Sequence, residues 1–313
     1  MFSYRHAFHA ANHADVLKHA ILVQILDYFN QKEAPYWVID THAGAGLYDL
    51  TSEWAQTNGE FENGLDRLLD DSAKPALIER YLAAVQAFNP DGYADHYPGS
   101  PWLALQAMRP TDRLRLFELH PTEVDVLSKN LARQSKTVQR QTQVFEKDGF
   151  EGLKALLPPP SRRAVVIIDP SYENKNDYRH VLTALQDGLK RFPTGCYAVW
   201  YPKVQRREVE QLLRSLEKLP DVEWLHAQLT VCKPAKDGHG LHGSGMFVVN
   251  PPWTLKPELA QALPWLTQKL ALDEHAGCIL KTCDGKHILP ASPAKAARPT
   301  RPAVAQKRSP SRK

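Results

Sequence analysis

The chain has 313 residues, 43% of them hydrophobic and 24% charged, which places it among ordinary globular proteins able to bury a sizeable core. No run approaches the roughly 18 apolar residues of a membrane span, and the opening Met1-Phe2-Ser3-Tyr4-Arg5-His6 lacks the apolar stretch of a signal peptide, so the expected location is cytoplasmic. The net charge of +4 names no partner by itself, and four scattered cysteines (Cys196, Cys232, Cys278, Cys283) without metal-ligand spacing read as reduced thiols.

Residues 13–29 set Leu17, Ile21, Ile25 and Phe29 at intervals of four, predicting an amphipathic helix that ends before Pro35. Five runs rich in β-branched and aromatic residues then read as buried strands: 36–40, 114–118, 144–148, 164–169 and 197–201. Helical stretches at 122–133, 150–157, 178–190 and 207–216 alternate with them. That rhythm predicts a doubly wound, largely parallel α/β sheet of Rossmann-like form. Two later strands, 224–232 and 245–250, flank a Gly- and His-rich turn and predict a terminal antiparallel hairpin at the sheet edge.

One interval breaks the rhythm. Asp40 and Glu118 lie 78 positions apart (118 − 40), whereas a strand-helix-strand step takes about 30 residues. Helix candidates at 66–69 and 76–88 point to a small inserted helical subdomain, placed to contact a large substrate. The expected organisation is one α/β domain made of 1–47 and 98–289, an insertion at 48–97, and a disordered basic tail at 290–313. The tail carries Lys295, Arg298, Arg301, Lys307, Arg308, Arg312 and Lys313 without an acid. It reads either as a salt-sensitive grip on phosphates or as a solvated extension without effect.

Chemistry gathers where the strands end. Asp40-Thr41-His42-Ala43-Gly44-Ala45-Gly46 follows the first strand, and Gly44 and Gly46 let the backbone turn tightly toward a ligand in the crevice at the carboxyl edge. The third glycine and long helix of a dinucleotide fingerprint are missing, which lowers a dehydrogenase reading. Glu118 closes the next strand, where a carboxylate can accept from both hydroxyls of a ribose. Asp148-Gly149 follows the third, with an acceptor for an adenine amino group and room for the ring. Singly, each acid is more often a loop cap than a ligand; in order, they form a far more specific pattern.

Ile168-Asp169-Pro170-Ser171-Tyr172 ends the fourth strand and resembles the Asp/Asn-Pro-Pro-aromatic motif of amino-methyltransferases, with Ser171 in place of the usual second proline. An aromatic amine is a poor nucleophile because its lone pair is delocalised. A side-chain oxygen of Asp169 and the carbonyl of Pro170 can accept from the amine and hold its nitrogen toward tetrahedral geometry, while Tyr172 stacks on an unpaired base. Asn250-Pro251-Pro252-Trp253 matches the motif better by letter, but it follows the last strand and is read as a structural strand exit. The N-terminal segment, dense in histidine and aromatics, places His9 and His13 four apart. Without a third ligand it reads as a cover over the sheet edge and no metal is expected.

These motifs, with Ser3-Tyr4-Arg5-His6 through Asp15-Val16-Leu17-Lys18-His19, Tyr97-Pro98-Gly99-Ser100-Pro101 and Glu118-Leu119-His120-Pro121, resemble the ribosomal RNA large subunit methyltransferase J family over about residues 1–272. The resemblance implies a class I methyltransferase fold, S-adenosylmethionine as donor without a metal, and N6-methylation of one adenine in 23S rRNA. It further implies a monomer that prefers bare rRNA or early assembly intermediates. At matching positions it implies cofactor contacts at His19, His42, Ser100, Glu118, Asp148 and Gly149, catalysis by Asp169, and a substrate contact at Tyr4. His6 and Lys18 join the candidates from their place in the opening motif. A DNA adenine methyltransferase and a catalytically silent RNA-binding assembly factor are the competing readings.

Overall fold

The computed structural model describes residues 5–70, 73–236 and 240–283. Tyr4 and the basic tail lie outside the described residues, as do residues 237–239 of the predicted hairpin turn. Helix α1 (His13–Asn30) begins where the side-chain oxygen of Asn12 accepts from the amides of Ala14 and Asp15, an N-cap that satisfies two orphan donors. β1 (Trp37–Asp40) leads into β2 (Leu47–Asp49), α2 (Glu53–Asn58), α3 (Asp66–Leu69), α4 (Ala76–Gln86) and β3 (His96–Pro98). Next come α5 (Ser100–Ala107), β4 (Arg113–Phe117), α6 (Pro121–Ala132), α7 (Lys136–Gln141), β5 (Thr142–Phe145) and α8 (Gly149–Leu156). β6 (Ala164–Ile168), α9 (Asp177–Arg191), β7 (Cys196–Lys203) and α10 (Arg207–Leu216) complete the alternation. β8 (Trp224–Thr230), β9 (Gly243–Val249), α11 (Leu255–Leu270) and β10 (Gly277–Thr282) follow.

Among the described residues, eight of these strands form one sheet in the order β10-β8-β9-β7-β6-β1-β4-β5. The five from β7 to β5 are parallel, and β9, β8 and β10 extend them by antiparallel pairing. The expected parallel sheet and hairpin are both present. The hairpin is not the edge, because β10 pairs along β8 outside it. Sequence reading missed β10 and its helix α11, whose interior Pro264 reads as a breaker.

The chain runs outward from β1 through β4 to β5, then crosses back to place β6 on the other side of β1. The carboxyl ends of β1 and β6 therefore flank a topological switch point, where open α/β sheets form their ligand crevice. Alternate side chains of each strand fill two cores. Val165 and Ile167 of β6 pack on the side of α1, α5 and α11, while Val166 and Ile168 pack on the side of α9 and α10.

Helix α1 departs from the amphipathic expectation. Leu17, Ile21 and Ile25 are fully buried, but Asp15, Lys18, His19 and Gln24 are buried as well. Helices α4, α5 and α11 pack around it, so the side that periodicity assigns to solvent is covered. Buried charges demand partners, and those partners lie in the crevice. The segment 48–97 is closed at its base by antiparallel pairing of Tyr48 with Tyr97 between β2 and β3. Its Leu65, Leu68, Ile78 and Tyr81 join the same core as α1, so it is continuous with the main sheet layer.

Candidate active site

Ile168 pairs with Val199 in register, so Asp169 follows beside Trp200. Asp169 Oδ2 lies 2.7 Å from Lys18 Nζ, and the two side chains are 16% and 8% exposed. Lys18 Nζ also stands 2.9 Å from Asp15 Oδ1, and Asp15 Oδ2 is 2.8 Å from His6 Nε2. Burial opposes a charge on Lys18, but the two carboxylates outweigh it and hold its pKa above the ordinary lysine range. Asp15, buried too, is held well below the ordinary carboxylate range by His6 and Lys18. The structure thus gathers His6, Lys18 and Asp169 into one linked group.

The neighbouring strand ends supply the remaining expected residues. After β1, Gly44 adopts φ +59° and donates its amide to Glu118 Oε2 at 2.7 Å, while Glu118 Oε1 accepts from the His120 amide at 2.7 Å. Burial raises the pKa of Glu118. A Cβ on Gly44 would lie 2.4 Å from the Tyr48 hydroxyl, so this position needs glycine for both φ and space. Ser100, opening α5, donates to Asp40 Oδ2 at 2.6 Å, and Asp40 Oδ1 accepts from the His42 amide. Burial pushes the Asp40 carboxyl up to about 6 against these hydrogen bonds. The His42 ring stands edge-on to Phe150 at 4.7 Å, and burial lowers its pKa to about 4. His19 is buried with Nδ1 2.7 Å from the Tyr97 hydroxyl, and its Nε2 has no partner among the described residues. Burial holds it well below the ordinary histidine range, so it is a neutral imidazole.

Three residues stand differently from their expected roles. Asp148 Oδ1 caps α8 by accepting from Phe150 and Glu151. A Cβ on Gly149 would fall 2.0 Å from the Thr41 carbonyl, so this glycine allows the β1 and β5 loops to touch rather than leaving space for a ring. Tyr172, expected to stack on a base, is 2% exposed and turned inward at φ +54°. Its hydroxyl donates to the Trp200 carbonyl at 2.6 Å, and its own carbonyl accepts from Arg206 at 2.9 Å. It braces the loop that carries Pro170.

The ring that does approach the linked group is that of Trp200, half-buried, with Lys18 Nζ 5.9 Å from its centroid. Sequence reading missed Trp200 because its place beside Asp169 depends on strand register. It also missed Asp15, although Asp15 and Lys18 share a helix face at i and i+3. The rival Asn250 sits at the other end of the sheet. Antiparallel β9 ends beside Tyr197 at the start of β7, and Asn250 donates to the carbonyls of Pro193 and Gly195. His9 pairs with Glu60, and among the described residues no group of three metal-binding side chains is assembled. Nor is any described helix long and apolar enough to cross a membrane.

Parallel strands in this order, a glycine turn after the first, acids after the second and third and an Asp-Pro after the fourth define a class I methyltransferase fold. Residues 33–280 match the family described as "Ribosomal RNA large subunit methyltransferase D, RlmJ". Ribosomal RNA large subunit methyltransferase J of Escherichia coli (strain K12) is 43% identical over 270 residues, spanning 86% of this chain and 94% of the relative. Its namesake in Haemophilus influenzae (strain ATCC 51907 / DSM 11121 / KW20 / Rd) is 41% identical over 271 residues, with the same coverage. A crystal structure from Legionella pneumophila str. Philadelphia 1 aligns with a TM-score of 0.79 at 32% identity, covering 92% of this chain and all of that one. The chain belongs to the ribosomal RNA large subunit methyltransferase J family.

Proposed function

We propose that this protein transfers a methyl group from S-adenosylmethionine to N6 of an adenine in 23S rRNA. It acts as a cytoplasmic monomer on bare rRNA or an early assembly intermediate. The observation that carries the reading is Asp169, paired with Lys18 at the end of β6 and followed by Pro170, at the switch point of the sheet.

The donor set along the edge suits an adenosyl cofactor. The ends of β6, β1, β4 and β5 are neighbours, spanning about 14 Å at the usual strand spacing. Glu118 keeps further acceptor lone pairs for ribose hydroxyls, since a carboxylate offers about four sites and two are taken by the Gly44 and His120 amides. His19 Nε2 is a buried polar atom lacking a partner among the described residues, and Ser100 with Asp40 lies between these strands. When bound, the cofactor supplies an electrophilic methyl group on a sulfonium.

The chain's own residues prepare the nucleophile. Asp169 and the Pro170 carbonyl accept from the two N6 hydrogens, so the lone pair turns toward the methyl carbon. Lys18 occupies Asp169 Oδ2 and leaves Oδ1 for the amine. As the new C–N bond forms and the methyl–sulfur bond breaks, leaving the donor as a neutral thioether, one N6 proton passes to Asp169, directly or through solvent. The domain made of 1–47 and 98–289 performs this chemistry, the segment 48–97 meets the RNA beside the crevice, and the basic tail at 290–313 adds a phosphate contact.

The test supplies labelled S-adenosylmethionine with protein-free 23S rRNA lacking the modification and, separately, with duplex DNA. Label recovered as N6-methyladenosine from rRNA is the expected result. Preferential transfer to DNA, or binding of rRNA without transfer, overturns the proposal in favour of a DNA enzyme or a silent assembly factor.

A further inference from the structure

Asp15 is 1% exposed on the first turn of α1 and belongs to none of the strand-end motifs. Both of its oxygens are engaged. Oδ2 accepts from the Ala11 amide at 2.9 Å and meets His6 Nε2 at 2.8 Å; Oδ1 lies 2.9 Å from Lys18 Nζ. Lys18 in turn reaches Asp169 at 2.7 Å. We infer that Asp15 is a positioning residue for methyl transfer, acting through Lys18 to fix the orientation of Asp169 and tying that pair to the N-terminal segment. The inference rests on the reading of Asp169 given above.

Geometry supplies the reason. An ammonium on a flexible four-carbon stem has many rotamers and orients nothing by itself. Carboxylates from two elements, α1 and β6, hold this one in a single place. Asp169 then keeps one oxygen on Lys18 and cannot rotate freely while its other oxygen meets the amine. The N-terminal side is also specified in detail. Ala11 adopts φ +64°, which a residue with a Cβ rarely does, and that conformation sets its amide onto Asp15. His6, packed 5.0 Å from the Tyr48 ring, closes the chain.

The arrangement needs an acceptor at both ends. Asparagine has nearly the same shape but offers one oxygen and one NH2. Its oxygen facing Lys18 sets the NH2 against the Ala11 amide, donor against donor, and the opposite orientation sets the NH2 against the ammonium.

Full-length wild type, Asp15→Asn, Lys18→Met and the double variant are compared for methyl transfer to 23S rRNA, with cofactor affinity measured by calorimetry. Asp15→Asn is expected to lower kcat by about 30-fold or more while cofactor affinity stays within about threefold. In the Lys18→Met background the same change is expected to cost less than about threefold, because residues acting as a unit are not additive. Near-wild-type kcat in Asp15→Asn, an equal loss in both backgrounds, or a loss confined to cofactor affinity overturns the inference. Asp15→Glu keeps the charge and moves it by one methylene, so it tests the same point should Asp15→Asn not fold. A kcat at least about tenfold lower is expected there, and full activity of folded Asp15→Glu overturns the inference. Wild-type transfer to rRNA reports separately on the function itself, since the inference depends only on the ratios between variants.

Discussion

Lys18 Nζ lies 2.7 Å from Asp169 Oδ2, joining the first helix to the fourth parallel strand across 151 positions of sequence. Breaking a buried pair by deleting one charge ordinarily costs about 3–5 kcal/mol, because the survivor is left without a partner. Here Lys18 retains Asp15. Asp169→Ala is therefore expected to fold with its cofactor affinity within about threefold of wild type and to lose at least about 1,000-fold in kcat. Single-turnover methyl transfer beside calorimetric titration with S-adenosylmethionine measures both quantities, and turnover near the wild-type rate removes Asp169 from the chemistry.

Tyr172, read from the sequence as the ring that stacks on a base, is turned inward, and Trp200 is the ring beside Lys18. The Tyr172 hydroxyl is spent on the Trp200 carbonyl, whereas the Trp200 ring faces Lys18. Tyr172→Phe removes one hydrogen bond and is expected to cost about 1 kcal/mol of stability with little change in KM for RNA. Trp200→Ala is expected to raise KM for RNA by about tenfold or more, in line with about 1–3 kcal/mol for stacking on a base. Denaturant melts and steady-state kinetics distinguish the two; a KM effect in Tyr172→Phe with none in Trp200→Ala reverses the assignment.

Asn250 provides the control for the motif with the better letters. It adopts φ +51° and donates twice, to the Pro193 and Gly195 carbonyls, at the edge of the sheet opposite Asp169. Glycine keeps that backbone conformation and deletes the donors. Asn250→Gly should lose about 1–2 kcal/mol in unfolding measurements and keep wild-type kcat. Loss of turnover in a folded Asn250→Gly protein relocates the active site.

The strand ends were legible because β-branched runs closing on Asp40, Glu118 and Asp169 carry both a periodic signal and a chemical one. What stayed hidden was set by register and packing. Trp200 is important only because Ile168 pairs with Val199, a relation between strands that neither strand encodes alone. Asp15 shares a face with Lys18, yet nothing local says that the face is turned inward, since α4, α5 and α11 arrive from distant sequence to cover it. Gly149 was read as space for a ligand, whereas its missing Cβ admits the Thr41 carbonyl. A glycine marks close approach without saying what approaches.

The N-terminal segment is fastened by a titratable pair, and its strength should follow pH. His9 Nδ1 lies 2.8 Å from Glu60 Oε1, and Asn12 donates to Glu60 Oε2 at 2.8 Å. The hydrogen bond to Glu60 raises the His9 pKa above 6.5. Burial works against ionised Glu60, but its bonds to His9 and Asn12 prevail and bring it below 4.5. A histidine with a raised folded value contributes fully below 6.5, and that contribution disappears as pH climbs through the raised value. A carboxylate with a depressed folded value contributes fully above 4.5, and its share disappears as pH falls through the depressed value. The pair is therefore strongest between 4.5 and 6.5 and weakens on the alkaline side. Each side chain is about one-third exposed, so solvent and salt screen the interaction. The Tm difference between wild type and Glu60→Gln should accordingly be largest near about pH 6, shrink by about pH 8.5, and be smaller in high salt. A difference that stays constant or grows as the pH is raised rules out the ion pair as the fastening of this segment.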